Sequence, residues 1–209
     1  MNQFQKRKVI LQTLLQGEGY YDALAVMHYC EPHHAGTRKD GFTPEYSHQI
    51  NIATFALDLP DLMYRQDVIA TIFGHDTSED AGRKWTKIAR RVRRSKKARK
   101  RVARAIKNMT KEWKGQRIPD ADLFAKMARD PVASIAKGCD RIHNLSSMVG
   151  VFTPAKQREY IREVRELFLP MLKLARRRFP HQARAYEMIK FVLISQITLI
   201  ESALNGAEA

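Results

Sequence analysis

Cysteine is scarce: Cys30 and Cys139 are the only two in 209 residues. That is too few for a disulfide framework and fits a reducing compartment, so packed free thiols in a cytoplasmic protein are expected. Long apolar runs are missing too. Phe191 to Leu204 is interrupted by Ser195, Gln196, Thr198, Glu201 and Ser202, which suits a packed helix rather than a membrane span, and no membrane partner is expected. Lys6, Arg7 and Lys8 precede an apolar segment, Val9 to Leu15, that is too short and polar for a secretion signal and is followed by no cleavage site. β-Branched runs bounded by hairpin turns are absent, which excludes a sheet-based fold. Acidic residues are in deficit. The 37 Lys and Arg face 22 Asp and Glu, a net charge of +15 that draws anionic partners such as nucleotides or nucleic acid.

What remains is helical in period and ordinary in composition, 44% hydrophobic and 28% charged. With no linker or internal repeat, one all-α domain over residues 1–209 is expected, with about ten helices. The periodicity predicts helices near residues 3–16, 20–30, 46–57, 65–76, 84–94, 96–109, 119–128, 131–148, 154–178 and 181–204. Glycine and proline fall in most of the gaps. The stretch from Arg83 to Lys114 is strongly basic and carries Arg90, Arg93, Lys96, Lys100 and Lys107, with Ile88, Val92, Val102 and Ile106 set to anchor one face. It reads either as a solvated helix face or as a polyanion-facing surface, and Trp85 and Trp113 either as core residues or as stacking platforms.

The densest chemistry lies in FGHDTSEDAG, Phe73 to Gly82. His75 and Asp76 pair an imidazole with a carboxylate, a donor set suited to a borderline or hard divalent cation such as Mn²⁺ or Fe²⁺. Glu79 and Asp80 return to the same side if the helical turn continues. Two ligands do not make a site, so others must come from elsewhere. His48 opens an apolar helix after the long loop Glu31 to Pro44, which holds His33, His34, Arg38 and Lys39. Asp140 and Asn144 lie four apart on one face of an apolar helix. An inward carboxylate there needs a cation or hydrogen bonds, although a surface network of Asp140 with Arg141 or Lys137 is the plainer alternative.

The order His48, then His75 with Asp76, then Asp140, resembles the H…HD…D ligand pattern of HD-domain phosphohydrolases. The flanks narrow the resemblance. RKDGFTPEYSH (from Arg38), GHDTSED (from Gly74), IAKGCDRIHN (from Ile135) and TPAKQREYIREVRELFLP (from Thr153) occur in order and are similar to blocks of the RelA/SpoT-type HD hydrolase domain. The likeness covers roughly residues 20–178, with 179–209 left as a C-terminal helix, and is to the stand-alone small alarmone hydrolase (Mesh1-like) type. It implies an HD-domain helical bundle, Mn²⁺ as cofactor, and hydrolysis of guanosine tetra- or pentaphosphate to GDP or GTP and pyrophosphate. It further implies His48, His75, Asp76 and Asp140 as metal ligands and Glu79 and Asp80 as catalytic carboxylates. Arg38, Lys39 and Asn144 become substrate contacts. Departures fall beside the ligands, at Gln49, Gly74 and Gly138–Cys139, and bear on pocket shape and base preference. Two other readings stay open: an HD phosphohydrolase acting on an adenosine alarmone or the NADPH 2′-phosphate, and a basic nucleic-acid-binding protein on the same scaffold.

Overall fold

Apolar and small residues on every side of one helix place it at the centre. In the computed structural model, which describes residues 1–206, this is α4 (Arg65–Glu79). Val68, Ile69, Ala70, Ile72 and Phe73 are all fully covered, so the helix has no solvent face over these turns. Before it come α1 (Gln3–Gly17), α2 (Tyr21–Cys30) and α3 (Ser47–Asp58). After it come α5 (Trp85–Ala89), α6 (Lys96–Met109), α7 (Asp120–Met127), α8 (Ala133–Met148), α9 (Pro154–Glu163), α10 (Leu169–Arg178) and α11 (Ala183–Gly206). Helices α2, α3, α6 and α8 pack around α4, and α11 lies along α8. The described chain is all-α apart from one small hairpin. One apolar cluster runs through it from Leu11 to Leu204.

Buried carboxylates fix how the helices start and cross. Asp67, in the first turn of α4, is fully buried. Arg94 binds its Oδ1, while Arg101 Nε donates to its Oδ2 at 2.7 Å, which offsets the cost of burying the charge. Asp130 accepts from the N–H groups of Val132 and Ala133 at 3.0 and 3.2 Å and from Arg104 Nε at 2.8 Å. It thereby satisfies backbone donors where α8 begins.

The expected helices are present, with local differences. The helix expected over 84–94 stops at Ala89, because Asp22 accepts the backbone N–H groups of Arg93 and Arg94 at 2.7 and 3.2 Å and holds that stretch in a turn. Helix α4 runs on to Glu79, a turn beyond the expected end. Helices α9 and α10 join through a π-helical stretch, Val164–Phe168. The hairpin, β1 (Glu112–Trp113) with β2 (Gln116–Arg117), is unforeseen. Its turn places Lys114 and Gly115 at φ 54 and 76°, the left-handed pair a two-residue hairpin loop needs. Trp113 pins it to Trp85, with ring centroids 4.9 Å apart; the two indoles pack on each other and neither is a fully exposed platform.

Two glycines mark close helix approaches. A Cβ on Gly74 would sit 2.8 Å from Ile106 Cδ1 and 2.9 Å from Ile88 Cγ2, and one on Gly138 would sit 2.8 Å from Ile189 Cγ2. Isoleucines from α5, α6 and α11 thus fill the volume that larger side chains would take at these two positions. Gly74→Ala is therefore expected to destabilise the protein in urea by about 1–2 kcal/mol, overpacking outweighing the gain in helix propensity. Cys30 and Cys139 are buried free thiols, and burial lifts the Cys30 pKa to about 12. Among the described residues, no helix is long and apolar enough to cross a membrane.

Candidate metal centre

His48 is the second residue of α3, His75 and Asp76 sit near the end of α4, and Asp140 lies mid-way along α8. These helices pack pairwise, so side chains as far apart in sequence as His48 and Asp140 meet. His48, His75 and Asp140 are buried; Asp76 keeps 24% of its side chain exposed. His48 Nε2 lies 3.0 Å from Asp140 Oδ1 and 3.7 Å from Asp76 Oδ2. His75 Nε2 lies 2.9 Å from Asp76 Oδ1 and 3.9 Å from Asp140 Oδ1. The donor atoms of His48, His75 and Asp76 all fall within 4.8 Å of one another. Neighbouring ligands around a six-coordinate divalent ion, with bonds of about 2.1 Å, are about 3 Å apart, so the spacing fits such an ion.

The outer contacts orient the donors. His75 Nδ1 donates to the Ile72 carbonyl oxygen at 2.8 Å, turning Nε2 toward the carboxylates, as metal-binding imidazoles are held. That Nε2 is buried and makes no hydrogen bond; the 2.9 Å approach of Asp76 lies off the ring's N–H direction. Gln49 Nε2 donates to Asp76 Oδ2 at 2.7 Å. His48 Nδ1 is 2.9 Å from His143 Nδ1, and His143 Nε2 is 3.1 Å from Asn51 Nδ2. Lys137 Nζ, itself buried, donates to Asp140 Oδ2 at 2.7 Å. The Asp140–Lys137 network is thus a buried one, not a surface one.

The field at His75 is strongly negative. Burial alone lowers its pKa, but Asp76 and then Asp140 outweigh burial and lift it to about 9. Burial likewise raises the pKa of Asp140, yet Lys137 and His48 prevail and keep it well below the usual carboxylate range. Without a cation, His75 therefore carries a proton at neutral pH, and a metal at Nε2 must displace it. Raising the pH removes the competitor. The apparent Mn²⁺ affinity is expected to rise up to about tenfold per pH unit below the His75 pKa, levelling off near the value of about 9. Calorimetry in buffers of different ionisation heat should show about one proton released per ion at pH 7.

A cavity of about 260 Å³ is lined by Arg38, Lys39, Asn144, Ser147, Phe152 and Tyr160. Asn144 joins it to the cluster, since its Nδ2 donates to Asp140 Oδ1 at 2.8 Å. Arg38 donates to Ser147 Oγ at 3.1 Å, and the Lys39 ammonium lies 4.6 Å from the Phe152 ring centroid. The loop carrying both cations is held by the Arg38 N–H to Thr43 carbonyl bond and by Asp40, which accepts from Phe42 and Thr43.

The structure separates the two acids that follow His75 and Asp76. Asp80 closes α4 and lies with His34 and Glu45 in a second group of donor atoms within 4.8 Å of one another. Although more than a third exposed, it has its pKa lifted to about 6 by loss of hydration and then by Asp76 and Glu79. Glu79 instead lines a hollow of about 410 Å³ with Glu112 and Trp113 of the hairpin. The sequence places His34 in the long loop and Gln49 beside a candidate ligand but gives neither a role. The structure buries His34 between Glu45 (3.1 Å) and Thr77 (2.8 Å) and makes Gln49, Asn51 and His143 supporting residues. Lys137 had a readable signal, three residues before Asp140 on one helix face. The chain matches no protein-family model and no curated protein.

Proposed function

We propose that the protein is a metal-dependent phosphohydrolase that removes the 3′-diphosphate of guanosine tetra- or pentaphosphate, releasing pyrophosphate and GDP or GTP. The observation that carries this reading is the joining of two features through one residue. Asn144 hydrogen-bonds the ligand candidate Asp140 and also lines the cavity that holds Arg38 and Lys39. Two histidines and two carboxylates suit Mn²⁺, with His48, His75, Asp76 and Asp140 holding it. When bound, the ion supplies Lewis-acid polarisation of phosphate oxygen and makes nearby water more acidic. Arg38 and Lys39 neutralise the diphosphate and fix its orientation. Asp80, with a pKa of about 6, is ionised at neutral pH and accepts a proton from the attacking water. The water oxygen bonds to phosphorus, the bond to the ribose 3′ oxygen breaks, that oxygen takes a proton from solvent to become the 3′-hydroxyl, and pyrophosphate and GDP or GTP are released.

Purified protein should be assayed with guanosine tetraphosphate, its adenosine counterpart and NADPH, with and without Mn²⁺. The expected result is pyrophosphate release dominated by the guanosine substrate and lost on chelation. Phosphate release from NADPH alone, or no metal-dependent hydrolysis of any of the three, would refute the reading.

A further inference from the structure

Between Asp80 and Glu112 there is no acidic residue, yet fifteen of the 37 Lys and Arg fall there; the remaining 22 balance the 22 acids, so the whole net charge of +15 resides in this stretch. Folding employs part of it. Arg94 and Arg101 hold Asp67, Arg104 holds Asp130, and Arg91 lies over the Tyr29 ring at 4.2 Å. Arg90, Arg93, Lys96, Lys97 and Lys100 are different. All five are exposed, and among the described residues none of these side chains has a hydrogen-bond, ion-pair or ring partner. They fall within eleven consecutive positions, where the chain turns from α5 into α6.

The fold gains nothing from their charge. Ser95 caps α6, accepting from the Ala98 N–H at 3.0 Å, so Lys96 and Lys97 occupy the first turn, where the helix dipole disfavours cations. Lys96 and Lys100 are like charges one turn apart, a destabilising pair. An unneutralised cationic surface kept at a cost to the helix points to an anionic partner. No large apolar side chain between Met63 and Val149 is exposed, so the surface offers a bilayer nothing to insert. It also lies away from the candidate metal centre. Arg94 and Arg101 tie it to Asp67, which precedes His75 by about 12 Å along the axis of α4.

We propose that this corner binds the phosphodiester backbone of nucleic acid, without base selectivity and apart from the metal cluster. The test is fluorescence anisotropy of the full chain with a labelled DNA duplex and a labelled single-stranded RNA, over a range of salt. Five phosphate contacts give a slope of log K against log salt of about −4.5 on the duplex, and two give about −1.8. The variant Lys96→Gln/Lys97→Gln/Lys100→Gln is expected to move the slope from the first value to the second and to weaken binding at low salt at least about tenfold. A charge-reversed variant, Lys96→Glu/Lys97→Glu, should lose binding while its melting temperature holds or rises, since acids favour a first turn. Binding of either nucleic acid with these losses supports the proposal. It is overturned by no binding at low salt, by a slope and affinity unmoved in the Gln variant, or by preference for phosphatidylserine vesicles over both nucleic acids.

Discussion

Asp140→Ala is expected to abolish Mn²⁺ binding and to lower pyrophosphate release by about a thousandfold, the scale of removing a preorganised electrostatic stabiliser. Asp140 Oδ1 lies 3.0 Å from His48 Nε2 and 3.9 Å from His75 Nε2, so Asp140, like Asp76, faces both histidines of the cluster. The substitution has a second effect that must be separated from the first. Asp140 Oδ2 is the partner of Lys137, whose side chain is 8% exposed, and an unpaired buried cation costs about 3–5 kcal/mol. In the single variant a lost activity is indistinguishable from a lost fold. The double variant Lys137→Met/Asp140→Ala removes both charges and should recover most of that stability. Calorimetric titration of the double variant with Mn²⁺ decides the matter: a stable protein that binds no ion upholds Asp140 as a ligand, and a stable protein that binds normally removes it.

The same residue shows what a sequence can and cannot reveal. The helix of Asp140 was legible from the apolar stripe Ile135, Cys139 and Ile142, since 3.6-residue periodicity is a local property. An inward carboxylate on such a stripe demands a partner, which made Asp140 a candidate before any geometry was known. The identity of that partner was less accessible. Lys137 is local, but His48 comes from α3, and the support of His48 by His143 and Asn51 depends on how α3 packs on α8. Nothing in the local pattern encodes such a crossing. Gly74 and Gly138 make the same point from the other direction. Each looked like a departure beside a candidate ligand, and each proves to be a place where isoleucines of other helices come within 3 Å of where a Cβ would stand. The hairpin at Glu112–Arg117 was missed because two-residue strands carry no alternation to detect, and only the Lys114–Gly115 turn marked it.

Asp80→Asn is expected to cut kcat by about 10²- to 10⁴-fold, the range for removing a general base, while Mn²⁺ affinity stays within a few-fold. Glu79→Gln should do less. The sequence offers the two acids as an equal pair, four residues on from Asp76 and His75 respectively, but their surroundings are unequal. Asp80 faces Asp76, Glu45 and His34 and has its pKa raised to about 6, whereas Glu79 borders the hairpin hollow. A base must be ionised to work, so the rate should climb with pH through the Asp80 titration. A cation bound at Asp76 would screen one of the charges that raise this pKa, which places the expected limb of the metal-loaded protein at or below pH 6. In Asp80→Asn the residual rate should lose that limb, and in Glu79→Gln it should keep it. The reverse pattern, a limb lost with Glu79 and kept without Asp80, would transfer the role to Glu79 and require the hairpin to move toward the cluster during turnover.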